Sequence, residues 1–199
     1  YLLQGFTLGA AAGAQPGPFQ AYLINQAMRL GWRRALLAAF APLVSDGPII
    51  ALVLLALSQV PGWMSRLLNA AGGLFILYLA WDAARAWRRF DPQAAVHAPR
   101  GSQSLWQAAL MNALNPNPYI FWSLVTGPIL LRGWRETPLN GLGFLLGFYA
   151  ALVGINLAVI VISGTAGQAG AGFRRGALGF SALALGVFGM LQLWQAVAG

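Results

Sequence analysis

Long apolar runs alternate with short polar breaks along the 199-residue chain. A helix needs about 20 mostly apolar residues to cross the hydrocarbon core of a bilayer. Six runs meet that length: residues 2–28, 35–60, 64–87, 105–131, 138–162 and 176–197. The pattern predicts an all-α, polytopic membrane protein with six transmembrane helices. Residues 88–104, "RRFDPQAAVHAPRGSQS", combine Pro, Gly, Ser and charge and read as a loop. They divide the chain into a first three-helix unit (1–89), a connecting loop (90–104) and a second three-helix unit (105–199), all within one membrane domain. A turn of small residues, "TAGQAGAGFRR", separates the last two runs. The first run lacks a basic start and exceeds the apolar length of a removable leader, so it reads as a permanent span.

Two of the runs are interrupted in the same way. The first contains "QPGPF", with Pro16 and Pro18; the fourth contains "NPNPY", with Pro116 and Pro118. Proline removes a backbone donor and clashes with the preceding turn, and it keeps the residue before it out of the helical region. A run of 27 residues is about 40 Å long as a helix, against a core of about 30 Å, so each run can hold a break and still cross. Backbone groups freed there cannot face lipid and must face protein or a wet cavity. A helix restarting after the break also offers amides that favour an anionic group. Gln15, Pro16, Gly17, Pro18 and Gln20 are therefore expected to meet Asn115, Pro116, Asn117, Pro118 and Tyr119 near mid-membrane and form a substrate pocket. The plainer alternative is a pair of proline kinks that shape packing.

The second run carries one carboxylate at depth, Asp46, and the fifth carries Asn156 at a similar depth. A charge near the bilayer centre costs at least about 2.5–3.5 kcal/mol, so such a residue is neutralised, paired or watered. Asp46 is the candidate for proton coupling, or for capture of a substrate amino group. The alternative is an uncharged carboxyl that bonds a neighbouring helix. Asn156 is a candidate substrate ligand, a partner of Asp46 across an internal symmetry, or a link between helices. The matched breaks and the matched polar pair suggest one three-helix unit used twice. Three crossings are odd, so the second copy enters inverted, a recurrent plan of secondary transporters.

Composition narrows the reading. Hydrophobic residues make up 58% and charged residues 8%, too few charges to cover a water-facing surface. The net charge of +8 sits in arginine clusters between the runs, which argues against a nucleic-acid partner. Alternate loops place Arg29, Arg33, Arg34, Arg85, Arg88, Arg89, Arg100, Arg174 and Arg175 on one side. Arg66, Arg132 and Arg135 fall on the other. The positive-inside rule makes the richer side cytoplasmic and puts both termini outside. Trp32, Trp63, Trp87, Trp106 and Trp134 stand near run ends, as in an interfacial belt. There is no cysteine, and His97 is the sole histidine, expected in the loop with Asp91 and Arg100; no cofactor or metal site is expected. Asp82 and Arg85, three apart, are expected to pair locally, and Glu136 to be solvated. Gly5, Gly9 and Gly13 have the spacing of close helix contact, within the chain or in a homodimer.

The stretch from Gly5 to Leu57, with its Pro16-Gly17-Pro18 motif, a Gly-x-x-x-Ala pattern after a basic turn, and Asp46, resembles the first two helices of the LysE/RhtB family of amino-acid exporters. "AAGGLFILYLAWDAARAW" is similar to that family's third helix and "NALNPNPYIFW" to its fourth. The likeness spans residues 5–122, with compatible fifth and sixth helices. The extra Pro118 and the Gly-Pro after Asp46 depart from the usual pattern. The resemblance implies export of a small amino acid or related metabolite across a bacterial inner membrane, driven by the proton gradient. The partners it implies are therefore an amino acid-like small molecule, protons and the lipid bilayer. Three other readings are weaker. A cation or metal transporter would need several membrane carboxylates or histidines. An enzyme would need a nucleophile within reach of a base, and adjacent Ser45 and Asp46 do not face each other on a helix. An accessory protein without flux would have no use for paired polar breaks.

Overall fold

A computed structural model describes residues 1–15, 17–56, 62–90, 101–166 and 170–198. The described residues are helical throughout their ordered elements, without strands. Leu2–Ala14 forms α1 and Pro18–Leu30 forms α2. A short α3 (Trp32–Ala35) leads through a 3-10 segment (Leu36–Phe40) into α4 (Ala41–Ala56). Gly62–Arg88 is α5, Gly101–Ala113 is α6 and Pro116–Phe121 is α7. A π-helical segment (Trp122–Thr126) joins α7 to α8 (Gly127–Glu136), and α9 (Pro138–Ala166) and α10 (Ala171–Ala198) complete the chain. Trp32–Val53, Pro138–Ala166 and Ala171–Ala198 are each long and apolar enough to cross a membrane.

Helices outrun the apolar windows. α6 begins at Gly101, inside the segment expected to be loop, and α3 begins at Trp32, ahead of the second run. Apolar length reports burial in lipid, whereas the backbone goes on pairing with itself past the interface. The turn between α2 and α3 falls on Gly31, whose φ of 78° suits a residue without a side chain. Prolines outside the paired breaks also lie within these helices. Pro128 cannot supply the N–H that the Leu124 carbonyl would take in an α-helix, and the chain widens just ahead of it, with Thr126 Oγ1 donating to Phe121 O at 3.2 Å. Pro48 lies inside α4, two residues after Asp46.

Glycines set the closest helix contacts. A Cβ on Gly5 or Gly9 would overlap the main chain at Phe144 or Phe148, and one on Gly147 would overlap Leu2. The Gly5-Gly9-Gly13 stripe is thus spent within the chain, on α9. These pairs advance together along both helices, so α1 and α9 run parallel. α2 continues the same path, ending where Trp32 lies against Gly164. The α5 and α10 pair is antiparallel: Gly72 meets Gln192, Gly189 meets Leu77, and Gly179 meets Trp87.

The two ends of the bundle differ in charge. At one end Arg29 of α2 pairs with Asp82 of α5, Arg85 covers the Trp81 ring at 3.9 Å, and Arg175 faces Trp87. The local Asp82–Arg85 pair expected from spacing gives way to this longer-range one, because Arg85 stacks on an indole instead. At the other end Tyr1 donates its hydroxyl to Glu136 at 2.6 Å, and Asn140 Nδ2 approaches the same carboxylate at 3.2 Å. Glu136 is exposed, as expected, but hydrogen-bonded. Asp91, His97 and Arg100 lie outside the described residues. The Arg29–Asp82 pair is partly exposed, so it contributes about 0.2–1 kcal/mol. Arg29→Glu should therefore lower the melting temperature of the purified protein by a few degrees at most, and adding Asp82→Arg should recover it; a single variant that melts unchanged would remove the pair from the stability account.

Candidate functional site

The second break is built from what proline withholds. In an α-helix the carbonyls of Asn112, Ala113 and Leu114 would accept from residues 116, 117 and 118. Pro116 and Pro118 have no N–H. The Asn112 carbonyl accepts instead from Asn115 N at 3.2 Å. The Ala113 carbonyl accepts from the Tyr119 hydroxyl at 2.9 Å. The Leu114 carbonyl accepts from Gln192 Nε2 of α10 at 3.3 Å. Asn115 caps the new helix, its Oδ1 accepting from Asn117 N at 3.0 Å.

The first break repeats part of this one hundred residues earlier. The Ala12 carbonyl accepts from Gln15 N at 3.4 Å. The Gly13 carbonyl accepts from Gln20 Nε2, which also donates to Asn156 Oδ1 of α9 at 3.0 Å. Asn156 is fully buried and directs its Nδ2 towards Ala39 O at 3.5 Å. Gln20 thus ties the broken helix to α9, and Asn156 ties α9 to the 3-10 segment before α4. Pro16 lies outside the described residues. Gly17 is extended at φ −174° and has no side chain to cap α2.

Asp46 is buried at the start of α4 and both its oxygens are held. Asn112 Nδ2 donates to Oδ1 at 2.8 Å and to Ser45 Oγ at 2.7 Å. The Tyr149 hydroxyl of α9 donates to Oδ2 at 3.2 Å. The Trp122 indole also donates to this carboxylate, and all three donors are neutral. An ionised carboxylate here has hydrogen bonds but gains no charge partner from them.

Both breaks and Asp46 face one cavity of about 870 Å³. Gln15, Gly17, Pro18 and Gln20 line it from the first broken helix. Asn115, Asn117 and Pro118 line it from the second, and Asp46 and Asn156 from the helices between. Pro116 is buried and Tyr119 gives its hydroxyl to the backbone; neither lines the cavity. The cavity sits in the half of the molecule away from the arginine-rich end. Its α10 lining, Phe188 to Gln195, is some four turns beyond Arg175. The arginine-rich half is filled by a packed core of alanines with Tyr22, Leu23, Ile76, Leu79 and Leu185. Tyr22 donates there to Gln107 Oε1 at 2.9 Å.

The model of the LysE type translocator family matches residues 10–195. The chain belongs to the LysE family. Comparison with curated proteins and with solved structures gives no match. The family's members are transporters, and the match takes in both breaks, Asp46 and Asn156. Several residues of this LysE cavity escaped the sequence reading: Asn69 of α5, Asn112 of α6, and Gln192 and Gln195 of α10. Each is an amide in an otherwise apolar helix, and that is the available signal. An amide in such a place needs partners; Asn69 and Gln192 are buried, Asn112 is half-buried and Gln195 is exposed. Among the described residues no group of acidic, histidine or cysteine side chains has the makings of a metal site.

Proposed function

We propose that the protein exports a small amino acid or related metabolite across the bacterial inner membrane, in exchange for protons. The observation that carries this is Asp46: a buried carboxylate in a cavity lined by two broken helices, held by neutral donors. Such a group is served by a proton or by the amino group of a solute, and the two compete for it. Tyr149 can adapt, since a hydroxyl both donates and accepts. With a proton on Oδ2 the Tyr149 hydroxyl turns to accept it, while Asn112 keeps donating to Oδ1. Amides and carbonyls at the breaks serve the remaining polar groups of the solute, and the apolar walls, among them Phe121, Leu152 and Phe188, suit a short aliphatic part.

The same reading takes the chain as six crossings in two inverted three-helix units. Corresponding breaks whose carbonyls are satisfied in matching order support it. So does the pairing of segments: the first broken helix lies parallel to α9, and the second lies along α4 with Asn112 on Asp46. Placing the arginine-rich end in the cytoplasm puts both termini outside. The cavity then belongs to an outward arrangement, with the cytoplasmic half packed shut, and inward opening would break the Tyr22–Gln107 and Arg29–Asp82 links.

Counterflow in proteoliposomes with a panel of radiolabelled amino acids, with and without an imposed pH gradient, tests the proposal. At least one amino acid should exchange, and the gradient should drive its accumulation. Absence of exchange across the panel would reject an amino-acid substrate, and exchange indifferent to the gradient would reject proton coupling.

A further inference from the structure

Three helices converge on a single carbonyl. The break at Asn115, extended ahead of Pro116, and the missing N–H of Pro118 leave Leu114 O without a helical donor, and Gln192 Nε2 takes that place from α10 at 3.3 Å. Only the amide nitrogen can serve a carbonyl, so the chemistry fixes which way the Gln192 amide points. The side chain is 7% exposed and lines the cavity. On α5, Gly72 leaves the space in which they meet: a Cβ there would overlap both Gln192 Nε2 and Leu114 O. Among the described residues the first break has no such prop from α5 or α10. Aligning Phe75 with Phe188 and Trp81 with Trp194 sets Leu79 opposite Gln192. Leu79 and Leu185 belong to the apolar core instead. A glutamine at this place is costly in an apolar helix unless it has something to hold.

We propose that Gln192 is a positioning residue for transport. Through the Leu114 carbonyl it keeps the Asn115–Pro118 wall of the cavity in the geometry that accepts the solute, and it fastens the α5–α10 pair to the second broken helix. The inference rests on the translocator reading of the same cavity. A wall that lets go spends less time in the accepting geometry, which weakens apparent binding in proportion.

The test is a cycle of four proteins: unchanged, Gln192→Met, Pro116→Ala with Pro118→Ala, and all three substitutions together. Methionine keeps the bulk and cannot donate. Alanine at 116 frees Asn115 to turn helical, and alanine at 118 then returns a backbone N–H to Leu114 O, which makes the glutamine dispensable. Counterflow is measured with whichever radiolabelled amino acid the unchanged protein exchanges fastest, and melting temperature is measured on the purified proteins. With Pro118 present, Gln192→Met should raise the half-saturation concentration about tenfold and change the maximal rate much less. It should also lower the melting temperature by several degrees. In the background with alanine at both 116 and 118 it should do neither. An unchanged half-saturation concentration, or the same penalty in both backgrounds, overturns the inference. If the unchanged protein exchanges no amino acid, it is the translocator reading that fails. The melting cycle needs no flux, so it still decides whether Gln192 holds the carbonyl.

Discussion

Asp46→Asn is expected to abolish accumulation driven by a pH gradient while leaving the protein folded. Each pH unit across the membrane supplies about 1.4 kcal/mol per proton, a roughly tenfold accumulation of solute. A variant that carries no proton forfeits all of it. Asparagine matches aspartate in shape, so the surroundings can be kept. Asn112 still has an oxygen to donate to at the Oδ1 position, and the Tyr149 hydroxyl can accept from the new amide. The melting temperature should shift little, because a neutral amide removes a buried charge as well as an acceptor. Exchange without a gradient should persist in weakened form if the amino group of the solute also meets this carboxylate. Asp46→Glu keeps the proton but lengthens the arm by one methylene in a packed site, so it should couple poorly and not lose coupling altogether. Accumulation by Asp46→Asn that equals that of the unchanged protein would place coupling elsewhere. The next group to test would then be Tyr149, whose hydroxyl shares the same oxygen.

The parts of this site that were legible in the sequence are those written locally. Two prolines two residues apart in an apolar run must free carbonyls, and a carboxylate at depth must have a purpose. Those arguments placed Gln15, Gln20, Asp46, Asn115, Asn117 and Asn156 as candidates, and the fold brings them round one cavity. Partner choice was not legible, because it joins residues far apart in the chain. Gln20 and Asn156 are separated by 136 positions and Asn112 and Asp46 by 66. Short-range rules fail where a longer-range partner offers more. Asp82 passes over Arg85, three residues on, for Arg29 across the bundle. Tyr119 is expected at the pocket as the end of the Asn115–Tyr119 stretch. Its hydroxyl is claimed instead by the carbonyl that the helix break leaves open at Ala113. Bookkeeping of the carbonyls at this break, two orphaned by Pro116 and Pro118 and a third by the Asn115 cap that takes the Asn117 N–H, calls for three new donors. It cannot say that one of them is Gln192, 78 residues away from Leu114.

Gly9→Ala should cost more stability than its single methyl group suggests. A Cβ at residue 9 would run into the Phe148 carbonyl and Cα, which are main chain of α9 and cannot turn aside as a side chain would. α1 must back away, and Gly5 and Gly147 sit in the same seam. Overpacking typically costs about 1–3 kcal/mol, which corresponds to a fall of about 2–12 °C in the melting temperature of a chain this long. Gly9→Leu should be worse. Gly154→Ala on α9 is the control: nothing lies within 4 Å of the added Cβ, and alanine favours a helix over glycine by about 1 kcal/mol. It should be neutral or stabilising, and equal losses at 9 and 154 would refute a role for the seam. The seam also sets function. Gln20 reaches Asn156 only because α1 and α9 are drawn together one turn after another from Gly5 through Gly13. Separating them should loosen the first break, yet leave the Asn112–Asp46 bond on the other broken helix in place. Gly9→Ala is therefore expected to raise the half-saturation concentration for solute while the response to a pH gradient persists, the opposite split from Asp46→Asn.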